Sequence, residues 1–97
     1  MPGLFRIKKK IKEVFSKLHS NYKVSEIYIF GSFSTKKERE KSDVDILVEF
    51  TEPVSLFTFL SLKSFLEKIL GRKVDLVTKK GIKKEMAERI LAEAIKV

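Results

Sequence analysis

Three short apolar runs, two of them interrupted by aspartate, constrain this chain most. Glu26-Ile27-Tyr28-Ile29-Phe30 is rich in β-branched and aromatic residues and is closed by Gly31; Asp43-Val44-Asp45-Ile46-Leu47-Val48 and Lys73-Val74-Asp75-Leu76-Val77 follow it. Each run has the length and composition of a strand. Side chains alternate across a strand, so Asp43, Asp45 and Leu47 share one face, and Val44, Ile46, Val48 and Phe50 share the other, the expected core face. In the third run Val74 and Leu76 point one way, Asp75 and Val77 the other. All three acids can therefore leave the core on one side of a single sheet.

The segments between the runs have helical spacing. Leu4, Ile7, Ile11, Val14 and Leu18 form one stripe, and a single first helix is expected to end near Ser20-Asn21, with His19 as a charge partner in its last turn. Residues 33–41 are polar and read as a short helix leading into a loop. Leu56, Phe59, Leu60, Leu62, Phe65, Leu66, Ile69 and Leu70 make a broad apolar face, with Ser55 placed to cap that helix and Gly71 to end it. Ile82, Met86, Ile90, Leu91, Ala94 and Ile95 mark a last helix. The expected order is helix, strand, short helix, strand, helix, strand, helix. Gly31-Ser32 ends the first strand and Asp43 and Asp45 open the second, so the two meet only if these strands are antiparallel. Asp75 opens the third strand, which must then run parallel to the second, with the helix over 56–70 as a right-handed crossover. This is a mixed α+β fold with a small three-stranded sheet, one domain over residues 1–97.

Bulk properties narrow the function. With 97 residues and 43% hydrophobic content the chain can build one modest core. It has no cysteine, hence neither disulfides nor thiolate metal sites. No apolar stretch is long enough to span a bilayer and the start lacks the run of a secretory signal, so a cytoplasmic protein is expected. The net charge of +8 favours polyanions such as nucleotides, although Lys/Glu enrichment also fits a heat-adapted surface. The lysines are spread over helices rather than interleaved with aromatics, which argues against a nucleic-acid binder.

Crowded carboxylates on one sheet edge repel each other. A hard divalent cation such as Mg2+, which prefers oxygen ligands and phosphates, resolves the conflict. Two such ions about 3.5–4 Å apart can serve a phosphoryl transfer. In this reading Asp43, Asp45 and Asp75 are metal ligands and the catalytic set. Gly31 and Ser32 cradle the triphosphate, because glycine permits close approach of the backbone and a following helix start favours anions.

Gly31-Ser32, ten intervening residues, then Asp43-Val44-Asp45-Ile46-Leu47-Val48-Glu49-Phe50 resembles the signature of the minimal nucleotidyltransferases, the smallest members of the DNA polymerase beta-like superfamily. Leu70-Gly71-Arg72-Lys73-Val74-Asp75-Leu76-Val77 is similar to the segment bearing that family's third metal-binding acid, and Arg89-Ile90-Leu91-Ala92-Glu93-Ala94 resembles its closing helix. The resemblance implies the polymerase beta-like fold, two Mg2+ ions, ATP as substrate, and a HEPN-domain ribonuclease toxin as partner. The chain would be the antitoxin, transferring AMP from ATP to a tyrosine of that toxin. Many relatives follow Gly-Ser-x with a small residue, an arginine and a glycine; this chain has Ser34-Thr35-Lys36, where Lys36 or Lys37 would contact phosphate as point charges. That departure keeps open an alternative, a binding module that neutralises its HEPN partner by occlusion. With so little chain beyond the core, the acceptor is expected to be held by another chain or by a homo- or hetero-oligomer.

Overall fold

The computed structural model describes residues 3–31 and 43–97. Ser32, Lys36, Lys37, the short helix expected over 33–41 and the Ser34-Thr35-Lys36 stretch lie outside the described residues.

Four helices and four strands are described: α1 (Gly3–Glu13), α2 (Phe15–Tyr22), β1 (Val24–Phe30), β2 (Val44–Phe50), α3 (Leu56–Leu70), β3 (Val74–Thr78), α4 (Lys84–Glu93) and β4 (Ile95–Lys96). The sheet order is β3-β2-β1-β4. β1 and β2 are antiparallel and β2 and β3 parallel, as the strand polarities deduced from Gly31 and the acids require.

Three expectations change. The first helix is two, because Val14 leaves helical geometry (φ −108°, ψ 9°) and its N–H bonds back three residues to Ile11 O at 3.2 Å. α2 runs to Tyr22, and Lys23 closes it in the left-handed region at φ 60°. The last helix stops before Ile95. Ala94 turns extended (φ −70°, ψ 142°), and Ile95–Lys96 pairs with Ile29 and Tyr28, making a fourth strand. The cause is the outer edge of β1, whose backbone groups need partners; Val97 N–H also donates to Ile27 O at 3.0 Å. A two-residue strand is too short to leave a periodic signal.

The core lies between one sheet face and the first three helices. Ile7, Ile11 and Leu18 meet Ile27, Ile29, Val44, Ile46, Val48, Val74 and Leu76, and α3 adds Leu62, Leu66 and Leu70. Those three α3 residues repeat every four positions, one stripe on the helix. The broad face expected for α3 is thus only partly used: Leu56 is 71% exposed and Leu60 49%, and Phe57, off that face, is 80% exposed. α4 buries none of its residues.

The ends of α3 follow their sequence signals. Ser55 adopts extended geometry and its side chain accepts the Thr58 N–H at 3.2 Å. Ser55→Ala should cost about 1 kcal/mol, a fall of roughly 4–8 °C in melting temperature for a domain of this size. Gly71 closes the helix at φ 67°, its N–H bonded to Glu67 O at 2.8 Å. Nothing lies within 4 Å of a Cβ added there, so Gly71→Ala should cost only the left-handed backbone penalty, about 1–2 kcal/mol. Both are read by thermal melts.

Candidate active site

The acids are assembled by backbone pairing. On parallel strands β2 and β3, Asp45 is the register partner of Asp75, which sets their Cα atoms about 4.8 Å apart on the same face. One step earlier, Val44 N–H donates to Lys73 O at 2.9 Å, joining the starts of the two strands. Asp43 precedes that bonded residue and is exposed. The Glu67 carboxylate, in the last turn of α3, accepts the Val74 N–H at 2.9 Å and so holds the backbone immediately before Asp75. On the other side, Phe30 pairs with Asp45 across the antiparallel ladder. Gly31 follows, at φ 71°, packed directly against the Asp45 carboxylate. The chain reversal after β1 and the acid row therefore share one end of the sheet.

Electrostatics agree with this closeness. Asp45 is half-buried, and its carboxyl is pushed above the usual carboxylate range, first by desolvation, then by the charges of Asp75 and Asp43. An opposite charge placed beside such a carboxylate would relieve it. Among the described residues, no three His, Cys, Asp or Glu side chains come together closely enough to form a complete cation site. His19 is elsewhere, its Nδ1 2.9 Å from Val24 O just past the end of α2.

The face that carries Asp45 has features that its alternation did not reveal. Leu47, expected on the outer face, is fully buried. Beyond it lies a polar row: the Tyr28 hydroxyl donates to Glu26 Oε1 at 2.7 Å, Lys96 Nζ donates to Glu26 Oε2 at 3.1 Å, and Lys79 pairs with Glu49 at 3.2 Å. Only the pairing of β4 with β1 brings Lys96 there, so no local pattern could have found it. Holding a carboxylate on its phenol keeps Tyr28 protonated, its pKa raised from 10.0 to about 12, and depresses Glu26. The raised phenol contributes stability that is complete below pH 10 and lost as pH climbs through about 12. The stability gap between wild type and Tyr28→Phe should therefore shrink across that window in denaturant titrations.

A separate cavity of about 330 Å³ lies at the other end of β2 and β3, lined by Phe50, Pro53, Leu56, Phe59 and Lys79 among others. It includes none of the acids. No helix among the described residues is long and apolar enough to cross a membrane.

Comparison with known proteins identifies the family. Residues 8–97 match the model of the nucleotidyltransferase domain family. A protein adenylyltransferase of Thermococcus cleftensis, MntA, is 44% identical over 80 residues, which cover 82% of this chain and 81% of that protein. A solved structure of a candidate minimal nucleotidyltransferase superposes with a TM-score of 0.84 at 34% identity, covering 97% of this chain and 95% of the other. A toxin–antitoxin structure with AMP-PNP superposes with a TM-score of 0.76 at 26% identity, covering 92% of this chain and 70% of that one. With the family model matching residues 8–97, nearly all of its length, this chain belongs to the nucleotidyltransferase domain family as a minimal nucleotidyltransferase.

Proposed function

We propose that the chain is an antitoxin that transfers AMP from ATP to a tyrosine hydroxyl of a HEPN-domain toxin. The observation that carries this reading is the pairing of Asp45 with Asp75 at the sheet end where β1 finishes in Gly31. Its relatives include a protein adenylyltransferase, and an ATP analogue accompanies a toxin–antitoxin pair of the same fold.

Asp43, Asp45 and Asp75 suit Mg2+. They offer only oxygen donors at one sheet end; the three do not close around one ion in this arrangement, but a cation would offset the desolvation and the Asp75 and Asp43 charges that disfavour ionised Asp45. When bound, Mg2+ supplies charge neutralisation at the triphosphate and at the attacking oxygen. The chain's own residues orient the reactants. The backbone after Gly31, with Ser32, Lys36 and Lys37, would hold the triphosphate. The acceptor hydroxyl would lie beside Asp75, which is exposed and able to receive its proton. The tyrosine oxygen attacks the α-phosphorus, the new P–O bond forms as the bond to the β-phosphate bridge breaks, and pyrophosphate leaves.

The test is incubation of the chain and its HEPN partner with Mg2+ and ATP labelled at the α-phosphate. Label on a partner tyrosine, absent with Asp43→Ala, is the expected result; an unlabelled partner would reject the transfer. The second reading, neutralisation by occlusion, is favoured by Ser34-Thr35-Lys36, which departs from the small residue, arginine and glycine of the family pattern that the chain resembles. It predicts that Asp43→Ala/Asp45→Ala still protects cells from the toxin.

A further inference from the structure

We propose that Gly31 is a positioning residue: its missing side chain is the space in which the Asp45 carboxylate sits. This deepens the cation-binding role given to Asp45 above and rests on it. A glycine after the first strand is ordinarily explained by close approach of backbone to phosphate. Here the space beside its Cα is already taken by another part of the protein. A Cβ built on Gly31 would overlap Asp45 Oδ2 and lie 3.0 Å from Asp45 Cγ and 3.3 Å from Asp45 Cβ.

Asp45 has little freedom to yield. Its backbone is fixed on both sides, by Phe30 in the antiparallel ladder and Asp75 in the parallel one. The neighbouring Val44 and Ile46 are fully buried on the opposite face. A side chain at position 31 must therefore be relieved by rotation of the Asp45 carboxylate away from its seat, which takes the oxygens off the edge shared with Asp75 and Asp43. Gly31 thus acts on the cation through Asp45 and needs no contact with it.

Gly71 provides an internal control. It has nearly the same backbone angle, φ 67° against φ 71° at Gly31, but open space where its Cβ would be. Alanine at 71 imposes the backbone penalty alone; alanine at 31 imposes the penalty and the overlap. Asparagine at 31 separates the two differently, since it tolerates left-handed geometry but still carries a Cβ.

The experiment compares the full chain with Gly31→Ala, Gly31→Asn, Gly71→Ala and Asp45→Asn. The Asp45 χ1 rotamer is read from three-bond NMR couplings in metal-free protein where Asp45 is retained. Binding of Mn2+, the probe cation, is followed by the spin-resonance signal of the free ion. We expect both Gly31 variants to change the Asp45 rotamer and to weaken Mn2+ binding about 10–100-fold, the usual effect of disturbing a ligand's support. Gly71→Ala should leave both unchanged. An unaltered rotamer in Gly31→Asn, or Mn2+ binding equal to wild type in that variant, overturns the proposal and leaves backbone strain as the role of Gly31. Gly31→Asn carries the test if Gly31→Ala does not fold. Should Asp45→Asn bind Mn2+ as tightly as wild type, the cation-binding role itself falls, and the rotamer alone then decides whether Gly31 seats Asp45.

Discussion

Asp45→Asn should lower AMP transfer by about three powers of ten while leaving the protein folded and no less heat-stable than wild type. The catalytic estimate follows from the several kcal/mol of charge stabilisation that a bound cation contributes, at about 1.4 kcal/mol per tenfold in rate. Stability moves the other way for an electrostatic reason. The folded state pushes the Asp45 carboxyl upward through desolvation, then through Asp75 and Asp43. A carboxyl whose pKa rises on folding favours the fold below the ordinary carboxylate range; that benefit disappears as pH rises through its folded value. At neutral pH the ionised group is therefore held at a cost, and the isosteric amide removes the charge while keeping the shape. A melt and an α-labelled ATP assay on one preparation give both quantities. Transfer at the wild-type rate would remove Asp45 from the mechanism; a melting temperature well below wild type would mean that it is a structural residue instead. Added Mg2+ should raise the melting temperature of the wild type and not of the variant, because a ligand of the folded state alone stabilises it by mass action.

The acid row was legible because its information is local. Alternation places Asp45 on one face of β2, and the requirement that Gly31 and both strand starts meet fixes antiparallel and then parallel pairing. Ser55 and Gly71 were equally readable, since a side-chain cap and a left-handed terminus depend on one residue each. Long-range features were not. β4 exists because the edge of β1 needs partners, and two residues cannot show a period. The break at Val14 has neither glycine nor proline to announce it. The link from Lys96 to Glu26 joins residues 70 apart in sequence and depends on β4. The support that Gly31 gives to Asp45 appears only when both side-chain positions are seen together, because a glycine after a strand looks the same whether it makes room for a phosphate or for a carboxylate.

The apolar residues of α3 pose the same problem in energetic form, and substitution should separate them sharply. Leu66→Ala is expected to destabilise the protein by about 2–5 kcal/mol, the cost of lost burial together with the cavity left behind. Phe57→Ala should change stability by no more than about 0.5 kcal/mol, although it deletes a larger side chain. By composition both belong to one apolar helix. In the fold Leu66 is completely buried, on the stripe with Leu62 and Leu70 that packs toward the sheet, whereas Phe57 is 80% exposed. A domain of 97 residues has a total stability on the order of 5–15 kcal/mol, so the Leu66 loss is a large share of it and should lower the melting temperature by roughly 8–40 °C. α3 is also the crossover that joins β2 to β3, and its last turn bonds the backbone before Asp75. Loosening it should therefore reduce AMP transfer below the temperature at which the chain melts. Urea titrations of the two variants beside wild type decide the matter. Equal losses at the two positions would mean that Phe57 is covered in solution by another molecule, and a small loss at Leu66 would mean that α3 is not seated on the sheet as described.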